Sequence, residues 1–142
     1  MVGATRSQKC AEIVFKRVEL FVNDTNFDKL VKRRYKALCK RGGGLLRTVG
    51  LIQFLTFCES KGKRDKDKHY KVLLEHICEE LCDSMNFQNA DSAALLMSVR
   101  RQNLPNYMQT TKEVLRLLQW HKRIAEILIE GEDEDGNTID KG

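Results

Sequence analysis

Apolar side chains recur every three or four positions along nearly all of this 142-residue chain, and no stretch sustains the alternation of a half-buried strand. That spacing puts the apolar residues on one side of a 3.6-residue helix and predicts helices throughout. Cys10, Val14, Val18 and Phe21 form a first stripe that ends before Asn23-Asp24-Thr25-Asn26, a polar tetrad able to cap a second helix from about Phe27. The second helix carries Phe27, Val31, Tyr35 and Leu38 on its apolar side. Lys29, Arg33, Lys36 and Lys40 lie opposite, within about 60° of arc. Arg34 falls on the apolar side and is expected to snorkel or to meet a buried acceptor.

Three glycines, Gly42-Gly43-Gly44, are poor helix formers and predict an interruption. They lack the lysine and hydroxyl of a phosphate-binding loop. A third helix, about Leu45 to Glu59, is apolar on most sides and is expected to be central. The run from Ser60 to Lys68 has no core-forming residue and predicts an exposed, mobile loop. Leu73, Ile77, Leu81 and Met85 mark a fourth helix, and Asn89-Ala90-Asp91 introduces a fifth ending near Gln102. Pro105 marks the first turn of a sixth, from about Asn106 to Glu130. The expected fold is all-α, a single compact bundle of five to seven helices over residues 1–129. An acidic, disordered tail is expected over 130–142.

Composition excludes several classes. No apolar run approaches a membrane span, and the first residues lack a secretory signal's apolar stretch. Five cysteines without framework spacing suit reduced thiols in the cytoplasm. His69, His76 and His121 stand on different parts of the pattern, with no local signature of a nucleophilic triad. Glu79 and Glu80 read as surface charge. Cys78 and Cys82 share a helical face but supply only two of zinc's four ligands, so burial as small hydrophobes is the stronger reading. The sequence therefore predicts no enzyme, no metal and no cofactor.

Charge is distributed unevenly. The chain carries +5 overall, yet residues 1–71 hold 18 Lys/Arg against 7 Asp/Glu, a net of +11. Residues 72–142 carry a net of −6, much of it in Glu130-Gly131-Glu132-Asp133-Glu134-Asp135. A basic body suits a polyanion, read through its phosphate backbone rather than its bases, or an ordinary solvated surface. Arg33, Lys36, Lys40, Arg41 and Arg47 are candidate phosphate contacts on charge geometry alone.

Two segments are more specific. One is Gly50-Leu51-Ile52-Gln53-Phe54-Leu55-Thr56-Phe57-Cys58-Glu59-Ser60-Lys61; the other runs from Tyr107 to Glu126 and contains Trp120-His121-Lys122-Arg123. In that order they resemble the small helical subunit of type III-B CRISPR (Cmr) effector complexes, over about Tyr35 to Ile129. The resemblance implies a non-catalytic subunit whose copies stack as a minor filament beside the backbone subunits that hold guide RNA. It implies a share in the groove where target RNA pairs with the guide, cutting being left to the backbone subunit. The implied partners are other Cmr subunits, copies of the chain itself, and target and guide RNA, with no membrane. The triple glycine and His121 depart from the family's usual proline-containing turn and apolar residue. Lys61, Lys122 and Arg123 match the family's basic positions. Lys112 and Arg116 share a polar face with Arg123, whereas Lys122 lies nearer the apolar stripe, where an internal ion pair is the other reading. Trp120 suits a core or subunit contact better than base stacking. The competing readings are a helical adaptor whose basic face binds acidic protein and, behind it, a small DNA-binding regulator.

Overall fold

The computed structural model describes residues 5–85, 87–88 and 91–131. Among the described residues six α-helices follow one another: α1 (Arg6–Val22), α2 (Lys29–Val49), α3 (Leu51–Gly62), α4 (Lys68–Met85), α5 (Ser92–Arg101) and α6 (Leu104–Leu128). A 3-10 turn at Asp65–Asp67 precedes α4, and no strand occurs among the described residues. The fold is an all-α bundle.

Most boundaries follow local chemistry. Thr5 and Gln8 close a reciprocal capping box on α1, with Gln8 N–H donating to Thr5 Oγ1 (3.1 Å) and Thr5 N–H to Gln8 Oε1 (2.7 Å). Asp28, rather than the preceding polar tetrad, caps α2 by accepting from Val31 N–H (2.9 Å). Asp91 caps α5, and Asn103 caps α6 just before Pro105.

The glycine interruption does not occur. α2 runs straight through Gly42, Gly43 and Gly44 and ends at Gly50, whose φ of 87° turns the chain into α3. Leu45, Leu46 and Val49 thus belong to α2, not to the third helix. Each glycine costs about 1 kcal/mol of helix propensity against alanine, but packing on both sides outweighs it. Tyr35, Leu38 and Leu46 are fully buried along the same helix. Gly42 lets α6 come close: a Cβ there would stand 3.2 Å from Leu118 Cδ2. The expected loop from Ser60 is also shortened, because α3 continues to Gly62 and the 3-10 turn follows. At Gly62 a Cβ would stand 2.9 Å from the backbone nitrogen of Lys71, so the α3–α4 corner has room only for glycine.

α6 packs along both α1 and α2, α4 lies beneath α2, and α3 packs on α4. The stripes expected from sequence line one core: Cys10, Val14, Val18 and Phe21 of α1, and Leu73, Ile77 and Leu81 of α4, are all buried. Arg34 finds its acceptor, donating from Nη1 to the Lys66 carbonyl (2.9 Å). The tail expected over 130–142 lies outside the described residues beyond Gly131.

Candidate nucleic-acid interface

α2 and α6 run antiparallel where they meet, with Lys36 beside Ile129 and Gly42 beside Leu118. On the outer side of that seam an open groove of about 630 Å³ is lined by Lys40, Arg47, Lys122 and Arg123, with Glu126 the one carboxylate in the lining among the described residues. Gly43 and Gly44 form part of its wall. With no side chain at either position, and nothing within 4 Å of a Cβ at Gly44, the helix backbone is open to a ligand. All four cations are exposed. Lys122 faces outward here, not into the apolar stripe.

The other candidates go elsewhere. Lys36 Nζ donates to the carbonyls of Ile129 (3.1 Å) and Gly131 (2.9 Å), closing the end of α6. Arg33 packs its side chain against Gly131. Arg116 donates to Glu113 at 2.6 Å, and Arg6 meets the same buried carboxylate at 3.3 Å. Lys61 lies over the rings of Phe57 (5.8 Å) and Tyr70 (5.9 Å), a cation–π placement on α3. Lys112 is exposed on α6 but outside the groove, and Arg41 is half-buried on α2 outside its lining. Trp120 is partly buried against the core, consistent with a packing role.

The inner side of the same seam holds a network that no local pattern announced. Tyr35 Oη lies 2.8 Å from His76 Nδ1 and 2.9 Å from His121 Nδ1, and His121 Nε2 lies 2.8 Å from both oxygens of Glu80. Glu80 and His121 are fully buried, so Glu80 is not surface charge; Glu79, its neighbour, pairs with Arg17 on α1. Burial, then His121 and Arg17, push His76 down to about 3, which keeps it neutral. Burial pushes the Glu80 carboxyl up, while His121 pulls it back. The arrangement that buries no net charge has Tyr35 O–H donating to His76 and His121 Nδ1–H donating to Tyr35. One proton is then shared between His121 and Glu80.

Such a network could suggest proton chemistry, but Tyr35, His121 and Glu80 are fully buried and only His76 is partly exposed. His121 is used at both ring nitrogens, and burial holds the Tyr35 phenol well above its ordinary range. Three buried thiols are likewise unactivated: burial raises Cys10 to about 11 and Cys58 and Cys78 to about 12. Among the described residues no three His, Cys, Asp or Glu side chains are placed to hold a metal ion, and no helix is long and apolar enough to cross a membrane.

Residues 6–128 match the family model described as CRISPR-associated protein (Cas_Cmr5). The chain belongs to the Cmr5 family. The CRISPR system Cmr subunit Cmr5 of Thermus thermophilus is 29% identical over 126 residues, covering 89% of this chain and 97% of that protein. The crystal structure of a CRISPR-associated Cmr5 family protein from the same organism superposes with a TM-score of 0.71 at 27% identity. It covers 90% of this chain and all of the other. Cmr5 membership makes the chain the small subunit of a type III-B Cmr complex, with other Cmr subunits as its partners.

Proposed function

We infer that this small subunit is non-catalytic, stacks with copies of itself as a minor filament, and contacts target RNA through the α2–α6 groove in antiviral defence. The observation that carries the reading is the gathering of Lys40, Arg47, Lys122 and Arg123 from two helices around one open groove, with Glu126 as the only carboxylate in its lining among the described residues. Phosphates of a strand lying there would displace counterions, and no base-reading arrangement is needed. The bare backbone at Gly43 and Gly44 admits a bulky sugar-phosphate chain. The buried Tyr35–His121–Glu80 network and the raised thiols of Cys10, Cys58 and Cys78 support a structural role, with cutting left to another subunit.

The test is a triple reversal, Lys40→Glu, Arg47→Glu and Lys122→Glu, incorporated into the reconstituted complex. Target-RNA affinity should fall at least tenfold at low salt, and the slope of log affinity against log salt should flatten by about two to three. Unchanged RNA engagement would sink the groove assignment. Binding of an acidic peptide with no RNA affinity at any salt would instead favour the adaptor reading.

A further inference from the structure

Tyr35 of α2 stands between two histidines. Its Oη lies 2.8 Å from Nδ1 of His76 on α4 and 2.9 Å from Nδ1 of His121 on α6. The two imidazoles are stacked, 13° from parallel with centroids 5.8 Å apart, so both rings present the same nitrogen to one phenolic oxygen. At the inner end, His121 Nε2 meets Glu80, 2.8 Å from each carboxylate oxygen. At the outer end the His76 ring is partly exposed, and its Nε2 has no hydrogen-bond partner among the described residues. The four side chains thus form one unbroken line of hydrogen bonds from the fully buried Glu80 to the edge of the bundle.

Such a line can pass a proton in either direction, because a phenol donates and accepts at one atom and an imidazole carries a proton on either nitrogen. In the starting arrangement His121 Nδ1–H donates to Tyr35, Tyr35 O–H donates to His76, and one proton is shared between His121 Nε2 and Glu80. The Nδ1 proton of His121 moves to Tyr35 Oη while the hydroxyl proton moves to His76 Nδ1. Tyr35 ends as it began, a neutral phenol. His121 keeps a single proton on Nε2, bonded to an ionised Glu80, and His76 becomes an imidazolium. His76 then gives its Nε2 proton to water, and the reverse sequence reloads the pair.

The charges around the line make the proton rest at the inner end. Burial first, then His121 and Arg17 of α1, hold His76 down to about 3, so its imidazolium is only a passing state. Arg17 is itself tied to Glu79 and Asp83 of α4, at 3.0 Å from the latter. Cys39, one turn along α2 from Tyr35, is kept a neutral thiol by burial and adds no charge. Burial pushes Glu80 up and His121 pulls it back, so either member of the inner pair can hold the proton.

We propose that Tyr35 and His76 form the route by which the buried Glu80–His121 pair exchanges its proton with water while α2, α4 and α6 stay packed. Without this route the pair would change protonation only when the helices separate locally. The route belongs to the inner side of the seam and does not depend on what the outer groove binds.

The experiment measures exchange of the His121 ring protons with water, by imidazole-resolved NMR of the histidine-labelled full chain near neutral pH. Each rate is compared with that of the same group in an unstructured peptide, which gives its protection. The backbone amides of Ile124 and Ala125, buried on the same helix, report local opening. In the unaltered chain the His121 ring proton should be about tenfold or more less protected than those amides. Tyr35→Phe keeps the buried ring but removes the oxygen, and should raise His121 to the protection of the amides. His76→Gln leaves Tyr35 an acceptor but no group that passes a proton on, and should do the same. It carries the test alone if Tyr35→Phe does not fold. A His121 proton as protected as the amides in the unaltered chain overturns the proposal, because exchange then needs opening. Low protection that survives either substitution also overturns it, since the proton would be leaving by another way.

Discussion

His121 and Lys122 are neighbours on α6 yet face opposite sides of the α2–α6 seam. His121 is fully buried and uses both ring nitrogens, one on Tyr35 and one on Glu80. Lys122 is exposed, and among the described residues the groove around it is lined by four cations and one carboxylate. The inner face consumes its polarity internally and can be arranged with no net charge. The outer face gathers exposed cations from two helices around one groove. The inner network therefore ties three helices together, and the outer groove is the surface to which the proposed reading assigns RNA. This contrast can be tested by substitution on each side.

The largest effect is expected inside. Glu80→Ala strips the buried His121 of its carboxylate and should cost about 3–5 kcal/mol, measured by denaturant unfolding of the isolated subunit. Glu80→Gln, which keeps an acceptor for His121, should cost less. A loss under about 1 kcal/mol for the alanine variant would mean that water replaces the carboxylate and the network is not closed.

A smaller effect is expected on acidification. His76 titrates near 6.5 when unfolded but near 3 in the fold, so the unfolded state binds the proton first. Its contribution is fully present above pH 6.5 and is lost as pH falls towards 3, by up to about 1.4 kcal/mol per pH unit. Between pH 6.5 and about 5 this amounts to at most about 2 kcal/mol. Glu80 acts with opposite sign, since a carboxyl raised by burial keeps a proton that the unfolded chain releases. His76→Gln should flatten the acid limb of the stability profile; an unchanged slope would assign that limb to another group.

The helices were largely legible because burial and 3.6-residue spacing are the same information, as Cys10, Val14, Val18 and Phe21 illustrate. Glu80 and His121 were not, because the pairing depends on residues 41 apart on different helices, and Tyr35 is 86 from His121. The groove was half legible. Its cations could be named from sequence, but periodicity on one helix cannot show which of them meet cations of another. Nor could it show that Lys36 turns to backbone carbonyls, Arg116 to Glu113 and Lys61 to aromatic rings. The glycines were misread for a related reason. Propensity sees three weak helix residues, whereas the fold uses Gly42 for close packing and Gly43 and Gly44 to keep the groove open.

That division gives a pair of substitutions with opposite signs. Gly42→Leu drives a side chain into Leu118 on the packed side and should cost about 1–3 kcal/mol. Gly44→Ala meets nothing within 4 Å and should stabilise by about 0.5–1 kcal/mol through helix propensity alone. Unfolding midpoints moving in the same direction would erase the distinction between packed and open glycine.

The smallest stability change, and the sharpest separation of the two faces, belongs to the groove cations. Arg47→Glu and Lys122→Glu alter exposed side chains whose loss leaves no buried group unpaired, so each should move stability by no more than about 0.5 kcal/mol. The sign could even be favourable, since relieving repulsion among four clustered cations offsets any lost packing of their stems. Binding should respond quite differently, because each reversal removes one phosphate contact and adds a repulsive charge in its place. The discriminating measurement is both quantities on one variant: unfolding free energy of the isolated subunit and salt-dependent RNA affinity of the assembled complex. A groove that is a binding surface loses affinity at constant stability. If stability falls by more than about 1 kcal/mol in step with affinity, these cations help hold α2 to α6 and the outer face is structural after all.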